Sequence, residues 1–157
     1  MQQTAGGNIV AVSNLTEFFR DEFRNVTSTQ HVEVDDHTEH YVVNLLAGFA
    51  GLVTGARLKQ AGLPDVRLID KAGDVGGVWY WNRYPGAMCD TAAMVYLPLL
   101  EETGHMPSMK YTYAPEIFGH AQRIARTFKL YENALFSTGV TSLEWDDATS
   151  RWIISTD

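Results

Sequence analysis

From Ser13 to Val26 the apolar residues Leu15, Phe18, Phe19, Phe23 and Val26 recur at helical spacing, while Arg20, Asp21, Glu22 and Arg24 fall mostly on the other side. This pattern predicts an amphipathic helix, with Ser13 or Asn14 as its cap and Glu17 completing a capping box. Ahead of it, Met1 to Val12 has no period and reads as a loose arm. Behind it, Thr27 to Glu39 is polar and acidic and reads as a linker. Its histidines, His31 and His37, have no partner at metal-ligand spacing and read as solvated loop residues. Residues 1–38 thus form an N-terminal helical arm, and residues 39–157 a separate domain.

The pattern then changes. His40 to Leu46 (HYVVNLL) is a short apolar run that predicts a buried strand. Ala47 to Gly62 predicts a helix, with Phe49, Leu52, Val53, Ala56 and Leu58 apolar and Arg57, Lys59 and Gln60 polar. Gly62 closes it and Pro64 prevents its return. Val66 to Asp70 (VRLID) predicts a second strand. Strand, tight turn, helix and strand in succession make a right-handed βαβ unit with parallel strands, so the fold class is α/β.

Gly76 to Asp90 (GGVWYWNRYPGAMCD) fits neither period. A loop this aromatic must pack against something large and flat. It reads either as a buried turn that plugs a core or as a wall around a planar cofactor. Val95 to Leu100 is apolar but contains Pro98, which predicts a loop or edge segment. Glu101 to Ala114 reads as loop, and Pro115 to Phe128 as a helix with Ile117, Phe118, Ala121, Ile124, Ala125 and Phe128 on one side. His120 within it reads as an exposed or packed histidine rather than a catalyst. Leu135 to Trp145 and Arg151 to Thr156 predict a β-hairpin turned at residues 146–149.

Composition narrows the function. The 157 residues are 45% hydrophobic and 20% charged, sufficient for a sizeable core. The net charge of −7 argues against nucleic acid as a partner. It leaves room for a small anion held by backbone N–H groups. The single cysteine, Cys89, excludes an intrachain disulfide and suits a reducing compartment. The first residues carry no signal-peptide pattern and no apolar run approaches about 18 residues, so the expectation is a cytoplasmic protein without membrane association.

The strand-to-helix turn reads LAGFAG, Leu46 to Gly51. Gly48 and Gly51 occupy the second and third glycine positions of a dinucleotide-binding G-x-G-x-x-G turn. There they permit close backbone approach to a pyrophosphate and close helix–strand packing. The helix N-terminus behind them favours anions. Asp70, about twenty residues further on, is placed to accept both hydroxyls of an adenosine ribose. The first glycine position holds Leu46, and Asn44 is polar inside an apolar strand. Taken alone, the turn fits either a dinucleotide site or a generic strand-to-helix connection. A second glycine-rich turn, Lys71 to Gly77, leads directly into the aromatic loop.

The stretch DVGGVWYWNRYPGAMCD resembles the flavin-contact segment of the Baeyer–Villiger monooxygenases, which usually reads GGTWYWNRYPGARCD. The similarity continues from Tyr96 to Phe128 and on to WIISTD, and looks like the branch acting on cyclic and steroid-like ketones. The resemblance implies a Rossmann-like FAD-binding domain with an added β-hairpin, truncated relative to the family. It also implies residue roles. Gly48, Gly51 and Asp70 would hold the ADP half of FAD, and Val78, Trp79, Tyr80 and Trp81 would line the flavin. Asp90 would be the active-site aspartate, with Met88, Cys89 and Thr91 beside it where NADPH approaches. Tyr96 would touch the isoalloxazine, and Val140 the adenine. No metal site is implied.

The departures from the family are specific. Leu46 replaces the first glycine, Val78 replaces a threonine, and Thr91-Ala92-Ala93-Met94 stands where a Glu-Ser type pair is usual. The family's FxGxxxHTxxW fingerprint, its NADPH-binding glycine motif and its catalytic arginine do not occur in these 157 residues. Besides a repurposed small enzyme or ligand-binding protein, two readings follow. One is the FAD-binding part of an NADPH- and O₂-dependent monooxygenase that converts a ketone to an ester or lactone, completed by a missing or separate portion. The other is a non-catalytic relic or accessory protein that keeps the fold but binds FAD poorly. Either way the uncovered face of the domain should be apolar, which predicts a complementing chain or a homo-oligomer.

Overall fold

The computed structural model describes residues 29–33, 40–44, 47–63, 65–148 and 151–157. The Ser13–Val26 helix, the Met1–Val12 arm, His37 and Leu46 lie outside the described residues. The sheet begins with β1 (Thr29–Glu33) and β2 (His40–Asn44), followed by helix α1 (Phe49–Gln60) and β3 (Val66–Leu68). β2 and β3 are parallel, with Val42 opposite Val66 and Asn44 opposite Leu68, so the βαβ unit forms as its pattern predicts. The strand order is β1-β2-β3, with β1 antiparallel to β2. This corrects the linker reading of 27–39. Thr29–Glu33 pairs along β2 from Thr29↔Asn44 to Glu33↔His40, and His31 sits in a strand rather than a loop. A polar sequence suffices for such an edge, because strand pairing needs only backbone N–H and C=O groups on one side.

The ends of α1 follow from its sequence. Arg57 and Lys59 in the last turn complement the negative end of the helix dipole. Leu63 N–H donates to Leu58 O and Gly62 N–H to Lys59 O, with Gly62 at φ +88°, a Schellman closure. α1 buries Leu52, Ala56 and Leu58 in one cluster with Val66 and Leu68. Gly55 is buried on that helix too, and a Cβ there would meet Leu130 Cδ2 at 3.0 Å.

Three short helical turns follow: α2 (Val78–Trp81), α3 (Ala93–Tyr96) and α4 (Leu100–Thr103). They correct three expectations. The aromatic segment contains a turn of helix, the Val95–Leu100 stretch takes in the end of one helical turn and the start of the next, with only residues 97–99 between, and Glu101–Thr103 is helical where Glu101–Ala114 reads as loop. Pro98 falls between α3 and α4, where its missing N–H interrupts neither.

Helix α5 (Ala114–Thr127) matches its expected span closely, with Pro115 in the first turn and Glu116 beside it at the positive end of the dipole. Its buried residues Ile117, Ala121, Ile124 and Ala125 recur at helical spacing. Ala121, Ile124 and Ala125 join the α1–β3 core, and Ile117 joins a second cluster with Trp79, Ala87, Cys89, Ala93, Leu97 and Ala114. Phe49, the first residue of α1, packs against both clusters.

The hairpin consists of β4 (Val140–Asp146) and β5 (Arg151–Thr156), paired antiparallel. It starts later than its pattern predicts, because Leu135 joins the other sheet. Leu135 bridges Ile69 in parallel, its N–H donating to Leu68 O and its C=O accepting from Asp70 N–H.

Candidate functional site

The site lies where α1 begins. Gly48 caps the helix with extended backbone (φ −76°, ψ −176°), no side chain caps it, and the first turn holds no acidic residue. The Asp70 carboxylate reaches this end of the helix, taking the N–H of Ala47 one residue ahead of the cap. The second glycine turn closes onto this one. Gly76 N–H donates to Ala47 O at 2.8 Å, and Gly77, at φ +54°, packs its backbone on Gly48. A Cβ on Gly77 would lie 2.8 Å from Gly48 Cα, a contact real Cβ atoms essentially never make. Position 77 can pass Gly48 only as glycine, whereas a Cβ on Gly48 would meet Gly77 Cα at an ordinary 3.6 Å.

Asp70 stands in the same corner. Its Oδ2 accepts from Ala47 N–H and its Oδ1 from Ala72 N–H, both at 2.8 Å. The carboxylate thus ties the glycine turn to the end of β3, and each oxygen keeps a further lone-pair direction for a diol. Thr138 N–H donates to Asp70 O, which brings the segment just ahead of Val140 to this edge. Val140 itself is exposed at the start of β4. Gly51 is buried in the first turn of α1.

The aromatic segment splits its residues between core and surface. Trp79 is buried, and its Nε1–H donates to Tyr96 Oη at 2.7 Å. Tyr96 stands edge-on to both Trp79 and Phe49, so the three rings form one wall beside the start of α1. Tyr80 is half-buried, with Arg83 over its ring at 4.5 Å. Val78 and Trp81 are 56% and 59% exposed. Trp79 thus plugs a core, as one reading of the loop had it, while Val78 and Trp81 face outward.

Met88, Cys89, Asp90 and Thr91 follow along one strip. Met88 bridges Tyr113 and is exposed, while Cys89 is buried with its N–H on Thr112 O. Asp90 and Thr91 are exposed, and among the described residues the Asp90 carboxylate has no hydrogen-bond or ion-pair partner. The structure thus gathers Gly48, Asp70, Trp79 and Tyr96 around the α1 N-terminus, while Asp90 and Thr91 remain unengaged at the surface.

Sequence reasoning did not single out Phe49 or Asp74, and it noted Gly77 only as part of a turn. The consecutive glycines after an aspartate were the available signal. His120, by contrast, is a packed histidine as expected. It is buried, with Nε2 2.6 Å from Pro98 O and its ring stacked on His105. Burial, first of all, holds its imidazole below the ordinary value. His105 Nε2 lies 3.4 Å from Glu116 Oε1, within ion-pair reach but not directed as a hydrogen bond.

A βαβ unit with a glycine turn, an uncapped helix start and a carboxylate at the next strand end defines a dinucleotide-binding α/β domain. A family model of NAD(P)-binding Rossmann-like domains matches residues 47–132, and the chain belongs to that family. Several of the relatives it matches are named Baeyer–Villiger monooxygenases, and it matches part of their length. It is 49% identical over 153 residues to pentalenolactone D synthase of Streptomyces arenae, covering 93% of this chain and 26% of that protein. It is 59% identical over 110 residues to a Baeyer–Villiger monooxygenase of Streptomyces coelicolor, covering 70% of this chain and 18% of the relative. Polycyclic ketone monooxygenase from Thermothelomyces thermophila superimposes with a TM-score of 0.71 at 46% identity, covering 73% of this chain and 19% of that one. OTEMO in complex with FAD and NADP gives a TM-score of 0.64 at 30% identity, covering 73% and 22%. The chain thus spans about a quarter of the length of the first of these relatives. Among the described residues no helix is long and apolar enough to cross a membrane, and no cluster of His, Cys, Asp or Glu could hold a metal ion.

Proposed function

We propose that this chain is the FAD-holding part of a Baeyer–Villiger-type monooxygenase, one that oxygenates a small-molecule ketone to an ester or lactone with NADPH and O₂. The observation that carries this reading is the closure of the Gly76–Gly77 turn on the Ala47–Gly48 turn at the start of α1, beside the Asp70 carboxylate. The residues suit the group. A Cβ on Gly77 would collide with Gly48, the first turn of α1 holds no acidic residue, and Asp70 keeps lone-pair directions beyond those taken by Ala47 and Ala72 N–H. FAD supplies the redox chemistry when bound. The protein's own part is to bind and orient it. Gly48 and Gly51 take the pyrophosphate side, Asp70 takes the ribose, and Val140 takes the adenine. Trp79, Tyr96 and Trp81, with Val78 and Tyr80, form the flavin wall. Asp90, with Met88, Cys89 and Thr91, faces the nicotinamide of NADPH, whose own binding fold belongs to a further portion.

That portion also accounts for the surface. Val78, Trp81, Tyr84, Met88, Met94 and Val95 are all exposed, apolar surface suited to a complementing chain or a second copy. The free, buried Cys89 fits a cytoplasmic protein.

The test is the visible absorption spectrum of the purified protein, before and after adding FAD and desalting. A retained flavin spectrum that weakens in Asp70→Asn supports the reading. A colourless protein, with no thermal shift on adding FAD, refutes it. That result would favour the second reading, a relic or accessory protein, which the departures from the family's sequence pattern at Leu46, Val78 and Thr91–Met94 favour.

A further inference from the structure

Asp74 is the one carboxylate of the second glycine turn, and three donors from three parts of the fold converge on it. Its Oδ1 accepts from Val75 N–H and from Tyr131 Oη–H, and its Oδ2 from Gln122 Nε2–H, each at 2.7 Å. Val75 belongs to the turn, Gln122 to α5, and Tyr131 to the segment that follows α5. The next residues are those that form the cradle. Val75 is fully buried, Gly76 donates to Ala47 O, and Gly77 rests on Gly48. Phe118, one helical turn before Gln122, closes the other side of Gly76, where a Cβ would meet its ring at 2.7 Å. Burial and the Asp74 contact both push the Tyr131 hydroxyl up, so it remains a proton donor.

We infer that Asp74 is a positioning residue for the dinucleotide cradle: by gathering Val75, Gln122 and Tyr131 it fixes the Gly76–Gly77 turn at the height where it closes on Ala47–Gly48. What the cradle holds rests on the FAD reading above; that Asp74 sets its position does not. The role is one of hydrogen-bond geometry rather than charge. An asparagine at 74 retains it, because its Oδ1 still accepts from Val75 and Tyr131 while the Gln122 amide turns over to accept from its Nδ2–H. Alanine abolishes it.

The experiment compares Asp74→Ala, Asp74→Asn and Tyr131→Phe with the unmodified chain. One readout is amide hydrogen exchange at Gly76 relative to Leu58 in α1. The other is FAD affinity, by quenching of flavin fluorescence. In Asp74→Ala, Gly76 exchange relative to Leu58 is expected to rise by about tenfold and FAD affinity to fall by a similar factor, the scale of leaving buried donors unpaired. Tyr131→Phe should give a smaller rise of the same kind, and should remain informative if Asp74→Ala does not fold. Asp74→Asn should restore both readouts to within about twofold of the unmodified chain, a rescue that rests on the preserved hydrogen bonds. If Gly76 exchange in Asp74→Ala changes no more than that of Leu58, or if Asn behaves like Ala, the positioning role is overturned. If the unmodified chain binds no FAD, the FAD reading fails, and the exchange comparison still decides the role of Asp74.

Discussion

Replacing Gly77 by alanine isolates the contact on which the cradle depends. Two costs arise. The backbone at Gly77 has φ +54° and ψ −120°, a region that L-residues avoid at a cost of about 1–2 kcal/mol. The new Cβ would also lie 2.8 Å from Gly48 Cα and 3.5 Å from Gly48 N, both backbone atoms with no side-chain freedom to retreat. Forcing a methyl into such a contact costs about 1–3 kcal/mol more. The sum is about 2–5 kcal/mol, or roughly a 4–20 °C loss in Tm for a domain of this size. Gly86→Ala supplies the control. Gly86 also has a positive φ, +81°, but nothing lies within 4 Å of its would-be Cβ, so only the strain applies. Urea unfolding of both variants, followed by tryptophan fluorescence, measures the difference directly. If Gly77→Ala is no less stable than Gly86→Ala, the two glycine turns do not meet as described and the cradle argument falls with them.

Other consequences are equally measurable. Trp79→Phe removes the donor to Tyr96 and leaves a small void, so it should cost about 1–3 kcal/mol in urea unfolding. Combined with Tyr96→Phe the loss should be less than additive, and full additivity would deny the contact. His120 is held neutral by burial, so the unfolded chain takes up a proton first as pH falls. Its contribution is complete above about pH 6.5 and is lost as pH drops from there through the lower pKa of the folded state. Tm measured at pH 7.5 and 5.5 should fall more in the unmodified chain than in His120→Gln, which keeps a donor for Pro98 O; an equal fall contradicts this. At Glu116, burial raises the pKa, but the two Ser108 hydrogen bonds and the charge of His105 outweigh it and hold the carboxyl below its ordinary value. The stability it adds is present above about pH 4.5 and lost as pH falls through the folded-state pKa. Ser108→Ala should therefore move the acid-unfolding midpoint to higher pH, and an unchanged midpoint would discount the pair.

What the sequence determined by itself was whatever a local period encodes. The apolar run of β2, the glycine turn at Gly48, the span of α1 and the stripe of Ile117, Ala121, Ile124 and Ala125 in α5 each state their conformation within a few residues of chain. The parallel β2–β3 pairing follows from that order of elements. Tertiary structure decided the rest, because the groups involved are brought together only by closure of long loops. Thr29–Glu33 became a strand because β2 offered a backbone edge, which its polar residues do not announce. Leu135, read as part of the hairpin, left it for the free side of Ile69. The donors of Asp74 lie 48 and 57 residues away, so nothing near Asp74 in the chain marks it. Gly77 could be read as a flexible turn residue, but its need to be glycine comes from the backbone of Gly48 lying against it, a steric fact that exists only in the folded chain.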